Sequence, residues 1–382
     1  MTIRSFIRRF FIALPVIFLF TGCGATAVSP FAAPAPSAPA STEDRVLALV
    51  ERMGPGEKVG QMMMVGLMTP VYDENCAYLQ NEFTIGNFIL FDRNGDTAED
   101  VRVLTAALRQ GNSSPVPLAI ALDEEGGAVS RFESFLPAPP AAAELGAAGD
   151  SEAARHEAQT TARELRALGI TWNLAPIADL GLSDGRSYGD DPETVIPFLR
   201  AAAAGYREEN FPFCLKHFPG IGKGSADTHD SAVTVDIPRD ELQREDLRPF
   251  AALIAETPPT DFAVMVGHVR YPALDDVPAS LSPAVITDLL RNELGYDGVV
   301  ITDNITMGAV AQHYPPGEAA RRAIAAGADI ILVSHEYGAA IEAYNAILQA
   351  LKTGAISEER IDTSVKRILR MKLAHEETTK ER

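Results

Sequence analysis

The sequence predicts a single (β/α)₈ barrel, a TIM-type α/β fold. Three observations point there. Eight short apolar runs recur between residues 58 and 334. Amphipathic stretches of helical composition fill most of the gaps between them. Ionisable residues gather where the apolar runs end, as functional groups do on one face of such a barrel. A doubly wound open sheet is the alternative architecture for the same alternation.

The chain begins outside this pattern. Arg4, Arg8 and Arg9 precede the apolar run "FFIALPVIFLF" at 10–20, which has signal-peptide length and is short for a membrane span. "TGC" follows, ending at Cys23. That pattern resembles a bacterial lipobox, with Phe20 standing where Leu is usual. Residues 1–22 are therefore expected to be a signal peptide, and Cys23 the lipidated first residue of the mature chain. A plain secretory signal is the alternative. Residues 23–42 are rich in Ala, Pro and Ser and read as an extended tether. The protein is expected to be exported to the cell envelope and held to the membrane by its lipid alone, as a monomer.

The apolar runs are "KVGQMMMVGL" (58–67), "GNFILF" (86–91), "PLAIALD" (117–123), "ITWNLAPIAD" (170–179), "FPFCLKH" (211–217), "FAVMVGH" (262–268), "GVVITD" (298–303) and "ADIILVS" (328–334). Each is short, unbroken and bounded by Gly, Pro or Asp. Strands of a parallel sheet covered on both faces read this way. Helices are expected over 97–110, 151–169, 239–256, 282–295 and 315–327. In the fourth of these, Ser282 and Pro283 form a start signal and Gly295 a stop. The barrel domain is assigned to 43–375 and a tail to 376–382.

Bulk properties narrow the function classes. The chain has 382 residues, 46% of them hydrophobic, which is ample for one large core. Its net charge of −19 argues against a nucleic-acid partner, because phosphates need a broad basic face. Beyond Cys23 only Cys76 and Cys214 occur. They could pair in an exported chain, but "FPFCLKHF" reads as a buried strand, which makes Cys214 a small core residue. No metal-ligand spacing and no cofactor fingerprint is present, so no cofactor or metal is expected.

The run ends supply the candidates: Asp123, Lys216 and His217, His268, Asp303, and Ser334 with His335, with Arg186 in the connection "DGRSYGDDPE". Each alone has a structural explanation, as a cap or a solvated charge. Together they suggest a site. The long loop after Lys216-His217, "PGIGKGSADTHD", carries Asp227 and His229 two residues apart. In an extended loop such a pair points one way, and the carboxylate can fix and activate the imidazole. Its glycines are expected to let the backbone approach a ligand and the loop close on substrate. Asp303 has no cationic neighbour in sequence.

"KHFPGIGKGSADTH" closely resembles the KHFPGHG…DSH signature of the β-N-acetylglucosaminidases of glycoside hydrolase family 3. "GNFILFDRN", "LDEEGGAVSRF", "NLAPIADL", "VMVGHVRYPALD" and "GYDGVVITDNITM" are similar to that family's other motifs, in order, over nearly all of 43–375. The resemblance implies a (β/α)₈ barrel and retaining hydrolysis of terminal β-linked N-acetylglucosamine, on peptidoglycan fragments or chitin-type oligosaccharides. It implies Asp303 as nucleophile and His229, partnered by Asp227, as acid/base. It implies sugar binding by Asp123, Arg186, Lys216, His217 and His268. Ile221 departs from the pattern, where the family has histidine. Alternatives are a β-glucosidase-like or phosphorylase member of the family, or a lipid-anchored sugar-binding protein without catalysis.

Overall fold

The structure is a computed structural model that describes residues 41–182, 184–223 and 233–376. Cys23 and the leader, Asp227, His229 and the end of the tail lie outside the described residues.

Among the described residues ten strands follow in order: β1 (Met63–Gly66), β2 (Asn87–Ile89), β3 (Ala119–Leu122), β4 (Trp172–Asn173), β5 (Phe213–Phe218), β6 (Phe262–Val266), β7 (Arg270–Tyr271), β8 (Asp275–Pro278), β9 (Val299–Thr302) and β10 (Ile331–Val333). Eight of them, all but β7 and β8, run parallel. One sheet has the order β10-β1-β2-β3-β4 and another β5-β6-β9. Bridges from Ile177 to Lys216 and from Ile301 to Ile330 join the two sheets at both seams. The result is the expected closed barrel, with helices in the connections. Nearly every barrel-strand residue is buried, because closure and the helical jacket cover both faces of each strand. Cys76 and Cys214 are both buried free thiols.

Four elements differ from the sequence reading, each for a local reason. Lys58 to Gln61 do not extend β1; they belong to a helix, Pro55–Gln61. Pro55 opens that helix, and the Glu57 carboxylate accepts the Gly54 N–H at 2.7 Å. The fourth strand is only two residues long, because Pro176 has no N–H to continue the ladder. The expected helix 239–256 is two helices, Arg239–Arg244 and Leu247–Glu256. Pro249 removes the donor that would reach back to Glu245, so the chain restarts there. The segment Ala284–Glu293 is wound as a π-helix, and Gly295 ends the turn at φ +74°. The hairpin of β7 and β8, paired antiparallel, had no sequence expectation behind it.

Thr42–Arg52 packs against the last helix, Glu358–Ala374. Arg370 pairs there with Glu43 at 2.7 Å.

Candidate active site

The run ends reach one place, the C-terminal mouth of the barrel. Asp123 follows β3, Lys216 and His217 end β5, His268 follows β6 and Asp303 follows β9. The centre is a row of alternating charges. The Lys216 Nζ donates to Asp123 Oδ1 at 2.6 Å and pairs with Glu125 Oε1 at 2.6 Å. Arg186 forks the same Glu125, with Nε 2.7 Å from Oε2 and Nη2 2.9 Å from Oε1. Lys216 and Glu125 side chains are each only 3% exposed, so neither charge is left to water. Burial alone raises the Glu125 carboxyl, but Lys216 and Arg186 reverse this and bring it down to about 2. Arg131 stands 3.8 Å from Asp123 Oδ2 and completes the cationic side of the row.

The turn "EEGG" makes this possible. Gly126 adopts φ +92° and Gly127 φ +57°, which L side chains rarely accept. A Cβ on Gly126 would also lie 2.4 Å from the Pro140 carbonyl oxygen. Asp123 and Glu125 therefore reach the mouth while Glu124, between them, turns into the wall. The Asn173 amide holds Glu124 there: its Oδ1 accepts the Glu124 N–H at 3.0 Å and its Nδ2 donates to the Glu124 carbonyl at 2.8 Å. Burial pushes the Glu124 carboxyl up to about 7, only partly countered by the N–H of Arg131, 2.8 Å from Oε2.

A stability effect follows from Glu124. Its native pKa lies above the ordinary unfolded value near 4.3, so the folded state holds the extra proton between the two. The stabilisation is complete below about pH 4 and is lost as the pH rises through 7. Glu124→Gln should therefore stabilise the fold by about 3 kcal/mol at pH 8 and about 1 kcal/mol at pH 5. Urea unfolding at the two pH values checks this; equal gains at both would contradict it.

His217 leans on Asp179, whose carboxylate is buried. Asp179 Oδ2 takes His217 Nδ1 at 2.8 Å and the His217 N–H at 3.1 Å. Its Oδ1 accepts the backbone N–H of Ile221 at 2.8 Å. That last bond uses main chain, so it survives whatever side chain stands at 221. Gly220 and Gly222 of this loop approach protein rather than open space: a Cβ on Gly222 would lie 1.6 Å from the Leu180 carbonyl oxygen. His268 places Nδ1 2.7 Å from Ser280 Oγ and Nε2 2.9 Å from the Asn304 carbonyl. The carbonyl can only accept, so Nε2 carries a proton.

Asp303 stands beyond β9, its N–H donated to the Val266 carbonyl at 3.0 Å and its Oδ1 accepting the Asn304 N–H at 2.6 Å. Burial would raise its pKa. The His268 and His217 imidazoles, the Asn304 N–H and the Lys216 ammonium outweigh burial and hold the carboxyl below its ordinary value. Sequence neighbours gave no hint of this, because all three side chains come from other strands. The result is an ionised carboxylate beside two imidazoles and an ammonium at the mouth of a barrel, an arrangement suited to attack on a polarised carbon.

The model of the glycosyl hydrolase family 3 N-terminal domain matches residues 56–371. The chain belongs to glycoside hydrolase family 3. The family 3 enzyme is 34% identical to the β-hexosaminidase LpqI of Mycobacterium tuberculosis, over 92% of this chain and 90% of that one. It is 38% identical to a β-hexosaminidase of Xylella fastidiosa, over 72% and 83% of the two chains. A family 3 β-N-acetylglucosaminidase from Paenibacillus superimposes with a TM-score of 0.82 at 41% identity, covering 85% of this chain. This chain spans 63% of that structure's length. The enzyme is a glycoside hydrolase of β-hexosaminidase type.

Sequence reasoning missed three residues at this site: Glu125, Arg131 and Asp179. All lie inside motifs it had singled out, Glu125 and Arg131 in "LDEEGGAVSRF" and Asp179 in "NLAPIADL". The signal was present, but nothing local says which of two adjacent acids faces the mouth.

Proposed function

We propose that this family 3 enzyme removes terminal β-linked N-acetylglucosamine with retention, from peptidoglycan fragments or chitin-type oligosaccharides. The observation that carries the reading is Asp303: a buried carboxylate after β9, held below its ordinary pKa by the His268 and His217 imidazoles, the Asn304 N–H and Lys216. Lys216, Arg186 and Asp123 hold the sugar hydroxyls through charge-assisted hydrogen bonds, exchanging part of their mutual pairing for the substrate. Asp303 then attacks the anomeric carbon, the glycosidic bond breaks, and His229 protonates the departing oxygen. In the second step His229 takes a proton from water, water displaces Asp303, and the sugar leaves with its original configuration. Asp227 orients His229 and favours its protonated form. A histidine with an ordinary pKa near 6.5 can serve both steps close to neutral pH.

Chromogenic substrates test the specificity. Nitrophenol should be released from the nitrophenyl β-N-acetylglucosaminide and at least a hundredfold more slowly from the β-glucoside. Equal rates, or a faster glucoside, would sink the reading. Single hydrogen bonds to a substrate group give discrimination of about this size or more.

A further inference from the structure

The opposite end of the barrel holds a cavity of about 690 Å³. Asn87, Ala119, Trp172 and Val299, the first residues of β2, β3, β4 and β9, line it. Met371 and Lys372, near the end of the helix Glu358–Ala374, form another wall. The glycosidase residues stand at the other ends of the same strands, so this cavity is separate from the sugar site.

Lys372 is held by two uncharged acceptors. Its Nζ donates to Gln61 Oε1 and to the Gly86 carbonyl, each at 2.8 Å. Among the described residues no carboxylate pairs with it. The other charged groups on the wall have partners of their own. Glu376 pairs with Arg45 at 2.7 Å, and Glu209 with Arg163 at 3.2 Å and Arg166 at 3.5 Å. Arg109 donates to the Gly169 carbonyl, and His375 Nδ1 lies 2.9 Å from the Met371 carbonyl.

An amine with two N–H bonds engaged has one direction left: a third proton if charged, a lone pair if neutral. Burial without a counter-charge favours the neutral form and pushes the Lys372 pKa down to about 7. Asn87 adds a second, independent feature. It is fully buried, and its Nδ2 donates to the carbonyls of Gln61 and Met63 at 2.8 Å each. Its Oδ1 has no hydrogen-bond partner among the described residues. Gln61 thus braces both a nucleophilic amine and an unmet acceptor, beside apolar Leu118, Ile170 and Phe211.

We propose that this cavity binds small apolar aldehydes as a reversible imine on Lys372. The Nζ lone pair adds to the carbonyl carbon, and a proton passing from nitrogen to the former carbonyl oxygen gives a carbinolamine. Loss of its hydroxyl with a proton from nitrogen leaves the imine and one water. Amine plus aldehyde equals imine plus water, so no oxidant or reductant enters the binding step.

The full-length enzyme at pH 7.5 is treated with benzaldehyde, and imines are fixed by cyanoborohydride and located by peptide mass spectrometry. Exposed Lys352 is the internal reference. Lys372 should be modified at least tenfold faster than Lys352, and its rate should level off above about pH 7 while that of Lys352 keeps rising. Gln61→Glu, which supplies a counter-charge, should slow Lys372 at least tenfold and leave Lys352 unchanged. Modification of wild-type Lys372 no faster than Lys352 overturns the proposal, as does a Gln61→Glu enzyme that folds and labels Lys372 at the wild-type rate.

Discussion

Asp303→Ala should lower kcat/KM on the N-acetylglucosaminide by on the order of 10⁴-fold or more, because a nucleophile that acts as part of a unit has no partial substitute. The fold should tolerate the change. The carboxylate accepts a hydrogen bond from the Asn304 N–H at 2.6 Å, and among the described residues it forms no ion pair within 4.0 Å. Losing that bond costs about 1 kcal/mol. Circular dichroism and urea unfolding separate the two effects. Azide supplies a stronger check: a small anion entering the vacated face should restore turnover and give a glycosyl azide of inverted configuration. A variant with near wild-type kcat/KM would contradict the assignment.

Lys216→Met should be damaging in a different way. It removes the one ammonium shared by Asp123 and Glu125, both within 2.6 Å of it. Arg186 remains on Glu125 and Arg131 stands 3.8 Å from Asp123, but both carboxylates lose their 2.6 Å contact with a buried ammonium. Breaking one side of a buried pair costs about 3–5 kcal/mol. Unfolding at pH 7 should show a loss of that size, together with a large rise in KM. The loss should also depend on acid. The native Glu125 pKa, about 2, lies below its unfolded value near 4.3. The stabilisation this represents is present above about pH 4.3 and is lost as the pH falls through 2. The gap between wild type and Lys216→Met should therefore narrow between about pH 4.3 and 2. A variant of unchanged stability at pH 7 would mean that the ion row is not what holds this wall together.

The barrel was readable because its signal is one of alternation. Unbroken runs such as "GVVITD" and "ADIILVS" can be strands only where both faces are covered, and closure into a barrel covers them. Three of the four differences share a cause. Pro55, Pro176 and Pro249 each redirected the chain at a point where hydrophobicity alone suggested continuity. The side chains at run ends were readable as candidates for the same reason as the strands. Their pairing was not. Lys216 meets Asp123 from 93 residues away and Arg186 meets Glu125 from 61, separations at which a single sequence carries no register. Glu124 and Glu125 show the limit most sharply. They are adjacent and chemically alike, yet the turn at Gly126 and Gly127 drives one carboxyl up to about 7 and the other down to about 2. Ile221 departs from the family pattern, yet the bond that Asp179 takes from it is a main-chain one.

The proposed mechanism requires Asp303 to form a covalent bond to the sugar. A slow fluorinated N-acetylglucosaminyl substrate, which accumulates the glycosyl-enzyme, measures it directly when the digested protein is sequenced by mass spectrometry. One labelled peptide is expected, with the sugar on Asp303. A sugar on any other residue would contradict it, as would turnover without an adduct that yields the α-anomer as first product.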